Sequence, residues 1–387
     1  MVVTNYKKII FSILILLSSV QNIFAEMMEE GRTKFKLLFN LYHQNSDDGK
    51  QVYDNSGGEE ANVVEPMLFV EHQVDETTAV DAHIVFDAWT AASDTKLDAN
   101  TGASGEGIGG QARISANFGA RKEIGKWELS SGVGFSSEYD YKSFNGKLGA
   151  QRSFAKDNFT LALGFQIYKD EVKLFQDLTP ASSAMISGFL PRDIYSYSLS
   201  ATQLLTRRDI IQFGVNFVQA KKNLESTASS VLVNNVRESE SLPESRDRYA
   251  LSTKLVHGFN ETLAMNVSYR YYGDDWDVSA HTIRTAILKE VNDDEDFLEV
   301  ALRYHAQDKV KYYQDSFVSA LPYMTSDSDM DKFDSFEVST MYSSNLEDRT
   351  TLGIELEDLT WNNSVTGYKR SNGLIYGYYQ TSIGFSF

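Results

Sequence analysis

The chain has no cysteine and only five prolines in 387 residues. Without cysteine there is no disulfide framework and no thiol to carry a lipid, so stability must come from packing and strand pairing. Basic residues are the minority, 36 Lys and Arg against 54 Asp and Glu, for a formal charge of −18. That balance argues against nucleic acid as a partner, because phosphates are met by Lys and Arg. Long apolar runs are missing too. The one continuous stretch, residues 9–20, falls short of the about 20 residues that a membrane helix needs. It follows Lys7 and Lys8 and precedes Ala25, as in a cleaved export signal, so residues 1–25 are expected to be removed and 26–387 to form the mature domain. Losing the two lysines takes the formal charge from −18 to −20. No Pro/Gly/Ser-rich linker divides the mature part.

What the chain does have is 21 Tyr, 23 Phe and 25 Gly, the usage of long strands with small residues on one face. Apolar and polar residues alternate in run after run. Phe35, Leu37, Phe39 and Leu41 stand against Lys34, Lys36 and Asn40, and Val80, Ala82, Ile84, Phe86 and Ala88 against Asp81, His83 and Asp87. Ala112, Ile114, Ala116 and Phe118 oppose Gln111, Arg113, Ser115 and Asn117; residues 159–170, 210–221, 263–274 and 297–307 repeat the pattern. The closing stretch sets Ile375, Tyr379, Ile383, Phe385 and Phe387 against Tyr376, Tyr378, Gln380, Ser382, Gly384 and Ser386. The period is two, that of a strand.

Connections alternate in kind. Short polar turns are expected at 75–78, 124–126, 155–158, 206–209, 258–262, 292–296 and 345–350. Longer loops rich in Ser, Asp, Asn and Gly are expected at 44–60, 92–109, 171–191, 223–245, 308–332 and 363–373. Two tight connections, near Tyr139–Asp140 and at 273–277, fall where long ones are due. The count comes to about 16 strands of about 9–13 residues, with both termini on the short-turn side. Soluble sandwiches and propellers use strands nearer about 5–6 residues. The expected fold is therefore all-β, a transmembrane antiparallel up-and-down β-barrel. Two places fit poorly. Pro66 removes a ladder donor, so a bulge or strand end is expected there. Arg284 shares a face with Val278 and Ala280, which points it at lipid unless a bulge intervenes.

The polar face is expected to line the lumen. Its candidates are Asp81, His83, Asp87, Arg113, Arg270, Asp277, His281, Glu299, Arg303, His305, Glu355 and Glu357, with Lys36, Glu65, Glu71, Lys147 and Lys254 alongside. Charges that dense do not face hydrocarbon, so the interior is wet or closed by paired side chains and folded-in loops. Asp277, Ser279 and His281 have a triad-like order, but same-face neighbours on a strand lie about 6.8 Å apart, and Ser279 keeps Asp277 from orienting the imidazole. His83 and Asp87 are about 13 Å apart on a strand and make no metal pair. Asp327, Asp329 and Asp331 begin like a calcium loop but lack its Gly and closing Glu. No catalytic residue, cofactor or metal ligand is assigned. The expected function is a channel or uptake barrel; the alternative is a barrel that serves a periplasmic protein partner.

From residue 242 the text becomes specific. Leu242-Pro-Glu-Ser-Arg-Asp-Arg-Tyr249, Val256-His-Gly-Phe259, Tyr269-Arg-Tyr-Tyr-Gly-Asp-Asp-Trp276 with Asp277-Val-Ser-Ala-His281-Thr282, Leu302-Arg-Tyr-His-Ala-Gln307, Tyr312-Tyr313 and Asp329-Met-Asp331 resemble the exported proteins catalogued as domain of unknown function 3570. The resemblance is carried by residues 240–335 and extends toward Phe387. It implies an outer-membrane barrel of unassigned activity, and through neighbouring exported thioredoxin-like and flavin-transfer proteins it implies a link to envelope redox or electron transfer. A strand ending on Phe387 also resembles the closing strand of bacterial outer-membrane barrels, which the assembly machinery reads. Tyr379, Ile383, Phe385 and Phe387 are its implied signal, and outer-membrane lipid and that machinery are the implied partners. Deleting Phe387 is expected to slow insertion into membranes more than it lowers the stability of barrel already inserted. An unchanged insertion rate would remove that role.

Overall fold

The fold is that of a computed structural model, which describes residues 27–45, 61–89, 111–176, 185–226, 230–292, 296–351 and 354–387. The expected export signal and most of the expected loops at 44–60 and 92–109 lie outside the described residues. The first seven strands are β1 (Thr33–Asn45), β2 (Ala61–Asp75), β3 (Thr78–Trp89), β4 (Gln111–Ile124), β5 (Trp127–Ser137), β6 (Tyr141–Phe154) and β7 (Phe159–Val172). A two-residue hairpin, β8 (Phe175–Gln176) and β9 (Met185–Ile186), precedes β10 (Leu190–Leu204) and β11 (Asp209–Lys221). A second small hairpin, β12 (Ser230–Val233) and β13 (Val236–Ser239), precedes β14 (Ser245–Gly258), β15 (Leu263–Asp274), β16 (Ser279–Glu290) and β17 (Phe297–Gln307). A 3-10 turn at Ser328–Met330 leads to β18 (Phe333–Asn345), β19 (Arg349–Thr351), β20 (Ile354–Arg370) and β21 (Ile375–Ser386).

Apart from the short β8, β9, β12, β13 and β19, the strands number sixteen among the described residues. Each pairs antiparallel with its neighbours, and β1 closes the sheet on β21 from Lys34 opposite Ser386 to Asn45 opposite Ile375. Closure leaves no edge, so strand backbones are hydrogen-bonded within the wall.

Residues opposite each other in a ladder share a face, so one assignment carries around the barrel. Phe35 faces outward with Val70 and Phe385 beside it. The same face runs through Phe86, Phe118, Phe135, Leu148, Leu163, Phe213, Leu251, Val300, Phe336 and Val365, all large, apolar and exposed. This is the outward band of a membrane-spanning barrel. Outward charge keeps to the rims, as where Asp193 meets Lys169 and Lys222 at 2.8 Å each. On the short-turn rim, Phe35 stacks with Phe385 and Phe387 at 5.7 and 5.6 Å, and Trp127 and Trp361 are exposed, residues suited to a membrane interface. The inward face is polar and small. A Cβ on Gly132 would lie 2.4 Å from Cε of Lys147, so that glycine makes room for a lysine lying across the wall.

Four expectations are corrected. The β1–β2 register runs unbroken through Pro66, which faces outward opposite Phe39; the register shift lies between Gln73 and Asp75. Arg284 does share the face of Val278 and Ala280, but that face is the lumen, and no bulge is needed. The expected long loop at 363–373 is mostly strand: β20 runs to Arg370 and turns back within 371–374. The expected turn at 345–350 is larger and carries the β19–β20 hairpin.

Leu163 sits at the centre of the outward run on β7. Leu163→Arg is expected to cost roughly 2–4 kcal/mol in denaturant unfolding from vesicles. The inward Gln166→Lys is expected to cost less than half of that. Equal costs would contradict the face assignment.

Candidate functional site: an arginine-rich chamber under a two-loop cap

The expected long loops at 223–245 and 308–332 meet each other over the long-loop mouth through their described residues. The backbone N–H of Phe317 donates to Leu232 O at 2.8 Å, that of Asn234 to Phe317 O at 2.8 Å, and that of Met324 to Ser241 O at 2.7 Å. Val231, Val233, Phe317 and Met324 form a small buried core between the two segments. A second cluster, with Leu224, Leu242, Val310 and Tyr313 from the cap and Ala220, Trp276 and Val278 from the wall, seats the cap on the barrel. Buried apolar side chains at about 1.5–3 kcal/mol each make such a lid hold its shape.

The wall grips the cap through polar groups. Arg192 donates from Nε to Asn223 O and from Nη2 to Glu225 O, both at 2.7 Å. Gln307 Nε2 donates to Asp329 O at 2.9 Å and Asp331 O at 2.7 Å, and Arg370 Nη1 pairs with Asp329 Oδ1 at 2.6 Å. The tight 275–278 turn is organised by Asp274. Its Oδ1 accepts from the backbone N–H of Trp276 and of Val278, each at 3.0 Å, while Oδ2 accepts from Arg246 Nη2 at 2.5 Å and Tyr272 Oη at 2.8 Å. The Arg246 guanidinium lies 4.4 Å over the Trp276 ring, a cation–π contact that places the charge on the chamber wall.

Beneath the cap is a cavity of about 350 Å³ bounded by Arg246, Arg270, Tyr272, Thr282, Arg303, His305 and Gln307 from the wall and Asp329 and Met330 from the cap. Arg303 Nη1 lies 3.5 Å from Glu337 Oε2, and His305 Nδ1 is 2.8 Å from Thr282 Oγ1. Charge is segregated around the lumen. On β14–β17, inward Arg246, Arg248, Lys254, Arg270, Arg284 and Arg303 outnumber Asp274, Glu290 and Glu299. Across the barrel on β2–β5, inward Glu65, Glu71, Asp81, Asp87, Glu123 and Glu128 outnumber Arg113 and Arg121. A solute entering the lumen meets a transverse field.

Of the residues singled out from sequence, Arg270, Arg303 and His305 come together in the chamber. Glu299 lies on the same wall, bound to Arg284 Nη2 at 2.6 Å. Asp81, His83 and Asp87 line the opposite wall, where Asp87 is ion-paired to Arg113 and His83 stacks on Phe69 at 4.1 Å. Two assignments to the lumen are wrong. His281 faces outward among rim tyrosines, with Nδ1 2.7 Å from Tyr269 Oη. Asp277 sits in the turn at φ +70° and meets Lys311 at 3.8 Å, while Ser279 Oγ donates to Asp308 Oδ2. The three residues of triad-like order therefore have three separate partners. Glu355 and Glu357 lie at the short-turn rim, Glu355 opposite Thr350 in the β19–β20 hairpin and Glu357 accepting from Arg32 Nη2 at 2.6 Å. Asp327 caps the 3-10 turn by accepting from Asp329 N–H; among the described residues no group of three acidic or histidine side chains is placed to hold a metal. Arg192 and Arg370 carry no signal in the sequence, and Arg246 and Asp274 stand there only within the motifs that carry the resemblance, because the roles of all four depend on which cap segment lies above them.

A family model described as Protein of unknown function (DUF3570) matches residues 102–387. The chain belongs to that family. The match begins well upstream of residues 240–335, which carry the resemblance, and leaves β1–β3 outside it. No curated protein matches the sequence. Among solved structures, a bacterial polysaccharide outer membrane secretin aligns over 94% of this chain and 100% of its own at 8% identity and a TM-score of 0.49. The outer membrane protein opdK from Pseudomonas aeruginosa aligns over 92% and 98% at 9% identity and a TM-score of 0.45. A BenF-like porin from Pseudomonas fluorescens aligns over 93% and 99% at 10% identity and a TM-score of 0.46. Likenesses of that degree leave the activity to be argued from the chain's own residues.

The cap holds a buried acid. Glu240 Oε2 accepts from Ser226 N–H at 2.7 Å; burial, with the nearby charges of Asp327 and Glu225, pushes its carboxyl up to about 8. Burial raises Asp327 as well. An acid with a raised pKa in the closed cap favours closure fully below its ordinary 4.5, and that contribution is lost as pH rises to about 8. Protease nicking within 222–244 is therefore expected to quicken from about pH 5 to about pH 9, and Glu240→Gln to flatten the profile. Nicking that slows with rising pH would contradict this reading.

Proposed function

We propose that the chain is an outer-membrane channel or uptake barrel of a Gram-negative envelope, passing small hydrophilic solutes through a charged lumen whose outer mouth is gated by the 222–244 and 308–332 cap. The charged interior carries the reading. Basic residues outnumber acidic ones on one wall and acidic outnumber basic on the opposite wall, beyond the pairs that brace neighbouring strands, and an interior of sixteen strands is wide enough for water. The start of β1 and the end of β21 lie with the short turns, the periplasmic side in such barrels, which puts the cap outside. In this reading export depends on residues 1–25, and the assembly machinery reads β21, whose Tyr379, Ile383, Phe385 and Phe387 share the outward face at the seam with β1.

One observation favours a second reading, a barrel serving a periplasmic partner. The β19–β20 hairpin extends the short-turn rim with Glu347, Asp348 and Glu355, an acidic surface that a basic exported protein, including a redox carrier, could meet.

Bilayer conductance separates the two. The full chain is expected to conduct weakly, and a variant lacking residues 230–239, the β12–β13 hairpin, to conduct severalfold better. Absence of conductance from both would refute the channel.

A further inference from the structure

The chamber under the cap holds more guanidinium than its carboxylates neutralise. Arg246, Arg270 and Arg303 line it, Arg248 stands opposite Asp274 on the neighbouring strand, and Arg370 closes its edge through Asp329. Three carboxylates answer five arginines: Asp274 on Arg246 at 2.5 Å, Asp329 on Arg370 at 2.6 Å and Glu337 on Arg303 at 3.5 Å. Arg270 is open to the lumen and has no carboxylate partner among the described residues. Arg248 Nε is buried with no hydrogen-bond partner among them. The register adds to the crowding, because Arg303 stands directly opposite Arg284, whose own carboxylate is Glu299. Like charges placed opposite each other in a ladder repel, so an anion between Arg270 and Arg303 would relieve the wall. The rest of the lining is different in kind: Val278 and Ala280 from the wall and Met330 from the cap give one apolar side.

We propose that this cavity binds a small organic anion, its carboxylate held by the forked donors of Arg270 and Arg303 and its apolar body set against Val278, Ala280 and Met330. Planar guanidinium groups match a carboxylate in two parallel hydrogen bonds. A cavity of about 350 Å³ is at the small end for ligand sites, which suits a single ring or short chain and excludes a polymer. The proposal names the solute class of the channel reading above and rests on that reading for how the solute arrives.

The test uses the full chain folded in detergent, titrated calorimetrically with benzoate, with benzamide as the neutral match in shape and with inorganic phosphate. Benzoate is expected to bind, more weakly as salt rises, and benzamide at least about tenfold more weakly. Arg270→Gln is expected to weaken benzoate about tenfold, and Arg270→Lys by less. Because Arg270 supports no structural ion pair among the described residues, its replacement leaves no buried charge behind. No benzoate binding by the wild-type chain overturns the site, as does equal binding of benzamide. Phosphate binding as tightly as benzoate overturns the apolar half of the proposal. Conductance is read on the same preparation: a barrel that conducts yet binds no benzoate loses the site alone, whereas one that binds benzoate and passes no current loses the channel and keeps the site.

Discussion

In hydrocarbon a backbone N–H or C=O has no water to fall back on, and everything else in this structure follows from the seam that satisfies that constraint. Twelve successive pairs join β1 to β21, and the last residue is tied in by Phe387 N–H to Thr33 O at 3.0 Å and Thr33 N–H to Phe387 O at 2.8 Å. Once the sheet is closed, alternate residues have only two places to go. Outward they meet lipid, which selects Phe, Leu, Val and Ile. Inward they meet one another across a lumen, where charge is tolerated only if wet or paired.

The inward charges are used twice. Some hold the wall, as Arg113 with Asp87 and Arg284 with Glu299 do. Others reach up to the cap: Arg192 to the carbonyls of 223 and 225, Arg370 to Asp329. The Arg246–Asp274 pair does both, since Asp274 also folds the 275–278 turn whose Trp276 seats the cap. Its side chains are nearly sealed from solvent, so removing one partner costs about 3–5 kcal/mol through the uncompensated charge left behind. Cap and wall are therefore one electrostatic unit, and the guanidiniums left over after both tasks face the chamber between them.

Alternation made the barrel and most of its faces legible, because lipid imposes the period-two rule on every strand it touches. The errors fall where a different neighbour replaced lipid. On β16, Val278 and Ala280 are apolar yet inward, since the cap packs on them; reading apolar as outward therefore turned Arg284 the wrong way and put His281 in the lumen. His281 belongs with Tyr269 and Tyr271 at the membrane interface, where a polar ring is at home. The end of β20 reads as loop because Asn362, Asn363, Ser364 and Thr366 are turn-like in isolation, but the ladder to β18 and β21 holds them as strand, and Asn363 accepts from Tyr379 Oη at 2.7 Å. For the cap a signal was present: Val231, Leu232, Val233 and Leu242 in one segment and Phe317 and Met324 in the other are more apolar than free loops require. What no period can disclose is which arginine on the wall lies beneath which carbonyl of a folded loop. That depends on contacts between elements about 80 residues apart, such as Ser241 with Pro322.

The central claim is that one face of each strand lies in lipid and the other in a charged lumen, and β16 tests it most sharply because its apolar residues occur on both faces. Single cysteines at residues 282 to 287 of this cysteine-free chain, spin-labelled in vesicles, can be probed by oxygen from the lipid and by a water-soluble nickel complex from the lumen. The account predicts oxygen maxima at Ile283, Thr285 and Ile287 and nickel maxima at Thr282 and Arg284. Oxygen maxima at Thr282 and Arg284 instead would place the arginine in lipid and contradict the register on which the lumen, the chamber and the cap all rest.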